Sequence, residues 1–375
     1  MPFEQVHIAS FRNIAECDIP LGASRVFLLG ENGQGKTNFL EALYVLCYAS
    51  SFRTHADRDL LMHGSDAFLL RADWKDSFDA PFMDRMSLLY RAGEKKEVRL
   101  GDKILTDRKE LVAHNPAVVF CHEDFGFAAG EPEERRFFFD QCAGMLWNEY
   151  IDILRSYKRV LKHRNAALKS GEEELLASLD IQFTRFGMDL MQTRARLAVL
   201  FHEHFPQFYD QVARLGTRVN IDYRPSWSLD STFDQILAYL AEHRARDLEL
   251  KTSLSGPHRD RWVFVHEERN FAAYASTGQL RLASLVLRIV QAYLFAQAEE
   301  KRTGKRRYPL LLLDDVLLEL DGSKRKRFFE LLPDPSESVQ AVFTFLPEEP
   351  WRDYADRSTM VLRVEHGRFT REESI

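Results

Sequence analysis

Residues Gly30, Glu31, Asn32, Gly33, Gln34, Gly35, Lys36 and Thr37 fit the pattern G-x-x-x-x-G-K-[ST], and no other stretch constrains the chain as strongly. The apolar run Arg25–Leu29 before it reads as a buried strand. After it Phe39, Leu40, Leu43 and Leu46 recur at helical spacing. A strand, a glycine-rich turn and a helix in that order make a phosphate-binding loop. Glycines let the backbone close around phosphate oxygens, while free N–H groups and the helix N-terminus supply positive partial charge. Lys36 would reach the β- and γ-phosphates and the Thr37 hydroxyl would bind Mg²⁺. The chain is expected to bind a nucleoside triphosphate.

At 375 residues there is room for two domains, or for one with a large insertion. Hydrophobic content of 45% with 29% charged residues is that of a soluble globular protein. No apolar run is expected to span a bilayer, and the opening Met-Pro-Phe-Glu-Gln-Val-His is unlike a signal peptide. Cys17, Cys47, Cys121 and Cys142 lie far apart without a C-x-x-C pair, which reads as reduced thiols in a cytoplasmic protein. A formal net charge of −6 excludes a wholly basic nucleic-acid binder, so any DNA contact must come from local patches. Three basic clusters qualify: Lys158-Arg159 with Lys162, His163 and Arg164; Lys301-Arg302 with Lys305, Arg306 and Arg307; and Lys324 to Arg327. Each could neutralise phosphates without reading bases, and each could equally be a solvated helix face or loop.

A second half of the nucleotide site is visible further on. Tyr308-Pro-Leu-Leu-Leu-Leu313 suits a central strand buried on both faces, and it ends in Asp314-Asp315. Asp314 would hold Mg²⁺ and Asp315 would position or activate the attacking water. Leu320-Asp321 follows at the spacing of a loop that touches a partner subunit. Ser276-Thr-Gly278-Gln279-Leu-Arg281 opens a long helix about thirty residues before Asp314. In isolation it is also an ordinary N-cap turn. Its position is where ABC-type ATPases carry the signature that closes on the nucleotide of the opposite subunit, which gives Ser276, Gly278 and Gln279 a role in a head-to-tail dimer.

Taken together these residues resemble the RecF family, which is related to SMC-type heads. Phe11-Arg-Asn13, Gly30 to Asn38, Leu40-Glu-Ala42 and Ser51-Phe-Arg53 are similar to its first block. Val118-Val-Phe120, Glu123-Asp124, Gly130-x-Pro132, Arg135-Arg136 and Asp140 are similar to its second. Tyr157 with Arg164-Asn165, Ser255-Gly-Pro-His-Arg-Asp260 and Gly278-Gln279 with Arg281 follow in the same order. The chain departs from the pattern at His122, at Ala128-Ala129, at Arg261 and at Leu280, and around Val342-Phe-Thr344 it lacks a switch histidine. Thr344 or a neighbour is then left to sense the γ-phosphate.

The resemblance implies an α/β fold, an ABC-type P-loop ATPase head with an inserted, mainly α-helical lobe. The expected divisions are 1–125 and 253–375 for the ATPase lobe and 126–252 for the helical lobe. Within the latter, Tyr150, Ile153, Leu154, Tyr157 and Leu161 form a stripe that reads as core packing. The resemblance also implies a slow, DNA-stimulated ATPase that binds ATP and Mg²⁺ and serves as a switch. Such a protein would act as an ATP-closed homodimer on duplex DNA or duplex–single-strand junctions in replication and recombinational repair. RecR, and functionally RecO, would be its partners in loading the strand-exchange recombinase. Two other classes compete: the ATPase subunit of a transporter and an ATP-dependent nuclease of the overcoming-lysogenization type. The absent switch histidine and the H-R-D block count against the first, and the short run of chain after the ATPase core counts against the second.

Overall fold

The computed structural model describes residues 3–75, 84–121, 125–216, 218–316, 320–334, 337 and 339–372. In chain order its strands and helices are β1 (Phe3–Phe11), β2 (Ile14–Pro20), β3 (Arg25–Leu29), α1 (Lys36–Tyr48), β4 (Ala67–Trp74), β5 (Asp84–Arg91), β6 (Glu97–Leu100), β7 (Lys103–Ile104), α2 (Arg108–His114) and β8 (Ala117–Phe120). Then come α3 (Phe125–Ala129), α4 (Pro132–Leu146), α5 (Asn148–Ser170), α6 (Glu173–Ala213), β9 (Val219–Arg224), α7 (Phe233–Leu250), β10 (Arg261–His266) and β11 (Arg269–Asn270). The chain closes with α8 (Thr277–Thr303), β12 (Leu310–Leu313), α9 (Gly322–Leu331), β13 (Ala341–Phe345), β14 (Thr359–Glu365) and β15 (Arg368–Arg371).

Contacts divide the chain into two units, Met1–Asp124 with Leu287–Ile375, and Phe125–Val286. The first holds two six-stranded sheets. One runs in the order β2-β1-β4-β5-β6-β7 and is antiparallel throughout. The other runs β15-β14-β3-β13-β12-β8, parallel except for the edge strand β15. Strands β8, β12 and β13 are buried at every residue, the signature of a parallel sheet covered on both faces. Helix α1 contacts both sheets, and its Phe39, Leu40 and Leu43 join one apolar core with Phe11 and Phe68 on one side and Leu28 and Val342 on the other. Gln340 is a polar staple in that core. Its buried amide accepts from the Phe3 N–H (2.8 Å) and donates to the carbonyls of Phe3 (3.0 Å) and Leu21 (2.7 Å), so nothing is left unpaired.

The second unit is built on α4, α5, α6 and α7. Tyr150 and Tyr157 of the predicted α5 stripe are buried, and Ile153, Leu154 and Leu161 are partly so. A three-stranded sheet, β11-β10-β9, belongs to the same unit. The sequence expectation placed a division at 252, with residues 253–375 in the ATPase lobe; the contact division falls at 286 instead. The cause is non-local. β10 pairs antiparallel with β9, from Arg261↔Arg224 to His266↔Val219. Buried arginines also fasten the preceding loop to the helices. Arg164, 0% exposed, donates to Asp180 (2.7 Å), Asp247 (2.7 Å) and the Ser253 hydroxyl (2.7 Å). Arg194 donates to Asp140 (2.8 Å), the Pro257 carbonyl (2.6 Å) and Asp260 (2.9 Å). The Ser255–Asp260 motif therefore works as a tether within this unit. His258 is held between the Tyr157 hydroxyl and the Ser253 carbonyl, and burial pushes it down to about 4, so it is neutral at physiological pH.

A second difference concerns hydropathy. Helix α8 is long and apolar enough to cross a membrane by length and composition, against the expectation that no segment would be. Of its apolar window, 83% is buried inside the protein, so packing already covers that surface.

Removing one partner from a buried ionic network leaves an uncompensated charge, at a cost of about 3 kcal/mol or more. Arg164→Ala is expected to lower the unfolding free energy by that amount in denaturant titrations. The triple variant Arg164→Ala/Asp180→Asn/Asp247→Asn should recover part of the loss. A cost below about 1 kcal/mol for the single variant would mean that the network is not what ties α5, α6 and α7 together.

Candidate nucleotide-binding site

In the first unit, parallel pairing aligns the carboxyl ends of β3, β13 and β12 on one edge: Leu29 lies opposite Phe345, and Phe343 opposite Leu313. Open α/β sheets bind ligands at such an edge. The loop after β3 and the first turn of α1 lie there. Gly30 is required by packing, because a Cβ would sit 2.4 Å from the Val364 carbonyl oxygen of β14. Gly35 is required by conformation as well, since its φ is 115° and a Cβ would press on the Asn13 amide. Gly35 caps α1 without any side-chain acceptor, so the first N–H groups of the helix are left for an anion. Lys36 is 4% exposed and donates to the carbonyls of Gly30 and Glu31 (3.2 Å for the latter).

The loop is braced from outside. Asn13 donates to the Gln34 carbonyl (3.3 Å) and accepts from Asn38 (2.8 Å). Gln34 also receives the N–H groups of His366 on its side-chain oxygen (2.7 Å) and of Gly367 on its carbonyl (2.8 Å). The Gln34 side chain therefore supports the loop. Glu41, 0% exposed, is the hub beneath: Arg12 grips it with two bonds of 2.9 Å, and Ser51 and Arg53 (3.4 Å) also donate to it. These contacts give structural work to Phe11-Arg-Asn13, Leu40-Glu-Ala42 and Ser51-Phe-Arg53, which the sequence alone only marked as similar to family blocks.

The acidic strand end lies against the loop. The Thr37 hydroxyl donates to Asp314 at 2.9 Å. Asp314 is pushed up to about 6, chiefly by burial and then by the neighbouring charge of Asp315, while hydrogen bonds from Thr37 and Thr344 and the charge of Arg53 act against the shift. Asp315 adopts a left-handed φ of 51°, held there by Thr344, whose hydroxyl accepts from the Asp315 N–H (2.8 Å) and donates to its carboxylate (2.7 Å). A hydroxyl beside a buried, charge-strained carboxylate fits a hard cation such as Mg²⁺, which takes one or two protein oxygens and the rest from phosphate and water. Among the described residues no cluster of three or more His, Cys, Asp or Glu offers a fuller metal cage.

Two residues to which the sequence assigns no role at the site face it: Arg53, marked only as part of a family block, and Glu349, not marked at all. Arg53 acts electrostatically on Asp314 and donates to Asn38 (2.9 Å). Glu349, in the loop after β13, takes the Leu346 N–H on one oxygen (2.7 Å), while its other oxygen is buried without a hydrogen bond. Burial raises its pKa, the Asp315 charge raises it further, and the Arg325 and Lys36 charges oppose. An acid five residues beyond Thr344 was the available signal, but only the β13 register brings it to this edge.

Ser276, Gly278 and Gln279 belong to the second unit. Ser276 and Gln279 form a reciprocal cap, the Gln279 side chain taking the Ser276 N–H (2.8 Å) and the Ser276 hydroxyl taking the Gln279 N–H (3.3 Å). Ser276, Thr277 and Gly278 are exposed. Asp321 caps α9 by accepting from the Lys324 N–H (2.9 Å). Glu123-Asp124 and the departure at His122 lie outside the described residues.

The family model described as the RecF/RecN/SMC N terminal domain matches residues 2–370. The chain is 39% identical to a DNA replication and repair protein RecF of Treponema pallidum, over 96% of this chain and 98% of that one. It is 30% identical to a protein of the same name from Desulfitobacterium hafniense over the full length of both. Among solved structures, the recombination mediator protein RecF with ATP in the RecFOR pathway superposes with a TM-score of 0.85 at 22% identity, covering 99% of this chain and 98% of that one. An Smc head bound to the C-terminal winged-helix domain of ScpA gives 0.58 at 14% identity, covering 99% and 96%. The ATPase-head fold with its helical insertion is thereby established.

Because the folded pKa of Asp314 lies above its unfolded value, the carboxyl costs no stability below about 3.8 and progressively more as pH rises through about 6. Without nucleotide or metal, Asp314→Asn should therefore melt higher than the parent at pH 8. The gain should be of the order of 3 kcal/mol, shrinking as pH falls towards 4.5. A difference independent of pH in a series of thermal melts would show that the ionised carboxylate is not the strained group.

Proposed function

We propose that this chain, which belongs to the RecF family, is an ATP-switched DNA-binding protein of replication and recombinational repair. The observation that carries this reading is the 2.9 Å contact between the Thr37 hydroxyl and Asp314 at the open N-terminus of α1. It joins the two halves of a triphosphate site across the sheet. ATP supplies the phosphoryl group and a bound Mg²⁺ neutralises developing charge. The N–H groups of the loop and the first turn of α1 hold the phosphates, with Lys36 leaving its two carbonyl acceptors to reach them. Thr37 and Asp314 hold the cation. Asp315, fixed by Thr344, orients the attacking water, and the doubled anchorage of that pair suits a slow switch.

Ser276, Gly278 and Gln279 act in trans, on the nucleotide held by a second copy. Gly278 supports this role in a specific way. Its backbone does not require glycine, and a Cβ there would meet no described residue within 4 Å. Among the described residues neither strain nor packing accounts for a bare backbone at this helix start, whereas close approach of a phosphate does. ATP then shifts the population towards a closed homodimer, because it contacts both copies only when they are closed. The closed dimer binds duplex or gapped DNA. By family resemblance it works with RecR, and functionally with RecO, to load the strand-exchange recombinase.

Lys36→Met should abolish ATP-driven dimerisation in light scattering while leaving the melting temperature of the nucleotide-free protein within a few degrees of the parent. Normal dimerisation of that variant would refute the site. Ser276→Arg should retain nucleotide binding by the monomer and lose closure; joint loss of both in a titration would refute the trans assignment. Gly278→Val offers a milder test, in which unchanged folding should accompany weakened dimerisation.

A further inference from the structure

Packing treats the three basic clusters differently. Near the end of α8, Arg302 and Arg307 both pair with Glu299, and Arg306 lies over the rings of Tyr293 (5.3 Å) and Tyr308 (5.5 Å). In α9, Lys324 pairs with Asp321 (2.7 Å), and Arg325 donates to the Leu320 carbonyl (3.2 Å) and faces Glu349 (4.0 Å). Much of the charge in both clusters is answered within the chain.

Helix α5 is different. Arg164, which the sequence groups with the cluster, turns inward to its aspartates. Arg155, Lys158, Arg159, Lys162 and Lys169 all stay exposed. Only Arg155 has an acidic neighbour at salt-bridge range, Asp152 at 3.8 Å; Lys158, Arg159 and Lys162 form no ion pair with any described residue. Their spacing of i, i+3, i+4 and i+7 sets them on one face, and Lys169 extends the row to about 21 Å. Arg155 with Arg159 and Lys158 with Lys162 are like charges at i, i+4, an arrangement that works against the isolated helix. Lys158, Arg159 and Lys162, without an ion pair among the described residues and set in a row of like charges on a protein of net charge −6, are stabilised by an external polyanion.

We propose that the exposed face of α5, through Arg155, Lys158, Arg159 and Lys162, binds the phosphate backbone of duplex DNA. The inference rests on the reading that the chain binds DNA and assigns where. Cations fixed along a helix can neutralise phosphates of a duplex and release their counterions. The row offers no Phe, Tyr or Trp on which unpaired bases could stack, so recognition is of the backbone and is indifferent to sequence.

The test compares the full-length protein with Lys158→Gln/Arg159→Gln/Lys162→Gln and with a control, Lys324→Gln/Lys326→Gln. The readout is anisotropy of a labelled duplex and of a labelled single strand across a salt series, with Mg²⁺ and ATP. The triple variant should bind duplex roughly tenfold or more weakly, and its slope of log K against log salt should be shallower by up to about 2.7. ATP binding should be unchanged, and the melting temperature equal or slightly higher, because repulsion has been removed. The control should follow the parent. Parent-like affinity and slope in the triple variant would overturn the assignment while leaving DNA binding itself intact. Loss confined to single strands, or equal loss of binding to poly-glutamate, would overturn the duplex assignment. A parent protein that binds no DNA under any nucleotide condition would remove the reading on which the inference stands.

Discussion

The parallel hydrogen-bond ladder that sets β13 between β3 and β12 is the constraint on which the candidate site depends. It fixes the carboxyl ends of β3, β12 and β13 at one level, so that Lys36 and Thr37, Asp314 and Asp315, and Thr344 arrive together although more than 300 residues separate the first from the last. The ladder holds only because both faces of the sheet are covered. The all-buried strands β8, β12 and β13 have no polar face to turn to water. Helix α1 contributes to that cover and opens the phosphate loop with its N-terminus. Core packing and ligand geometry are thus properties of the same helix.

Support around the loop is arranged so that backbone and side chains have one place to go. Glu41 is completely buried and gathers Arg12, Ser51 and Arg53, while Asn13 and the 366–367 turn hold Gln34 from two sides. Such an array positions groups without touching a ligand, and it is costly to disturb because a buried carboxylate needs its donors. Asp314 stands apart. It accepts from Thr37 and Thr344, and among the described residues no cationic side chain is hydrogen-bonded to it, so burial and the Asp315 charge disfavour its ionised form. Strain of that kind is expected where a protein keeps a site ready for a divalent ion.

The second unit solves a different problem. Its long helices carry apolar stripes, yet their mutual position is also fixed by Arg164, held by two carboxylates and the Ser253 hydroxyl, and by Arg194, held by two carboxylates and the Pro257 carbonyl. Buried, paired charges are weak contributors to net stability and strong selectors of one arrangement, because a slipped helix would strand an ion. Tyr157, Arg164, His258 and Asp260, which the sequence motifs contain, thus have structural work within this unit, which is not the unit of the phosphate loop.

Local sequence determined the strand–loop–helix at residues 25–48, the acidic strand end at Asp314-Asp315 and the cap at Ser276. In each case the chemistry is written in neighbouring residues: glycines where the backbone must turn, an apolar run where a strand is buried, a hydroxyl where a helix starts. What only the tertiary structure decided is anything that joins distant segments. The β9–β10 pairing draws 253–286 into the second unit, although the returning strand–helix alternation suggested the other. Arg164 looks identical to Arg159 in the sequence, yet one is buried against two aspartates and the other is exposed. Glu349 becomes a neighbour of Asp315 and Lys36 only through the register of β13. Periodicity and turn chemistry are short-range and can be read along the chain. Charge pairing and strand partnership are settled by which contacts bury the most apolar surface while leaving no polar group unanswered, and that is a property of the folded whole.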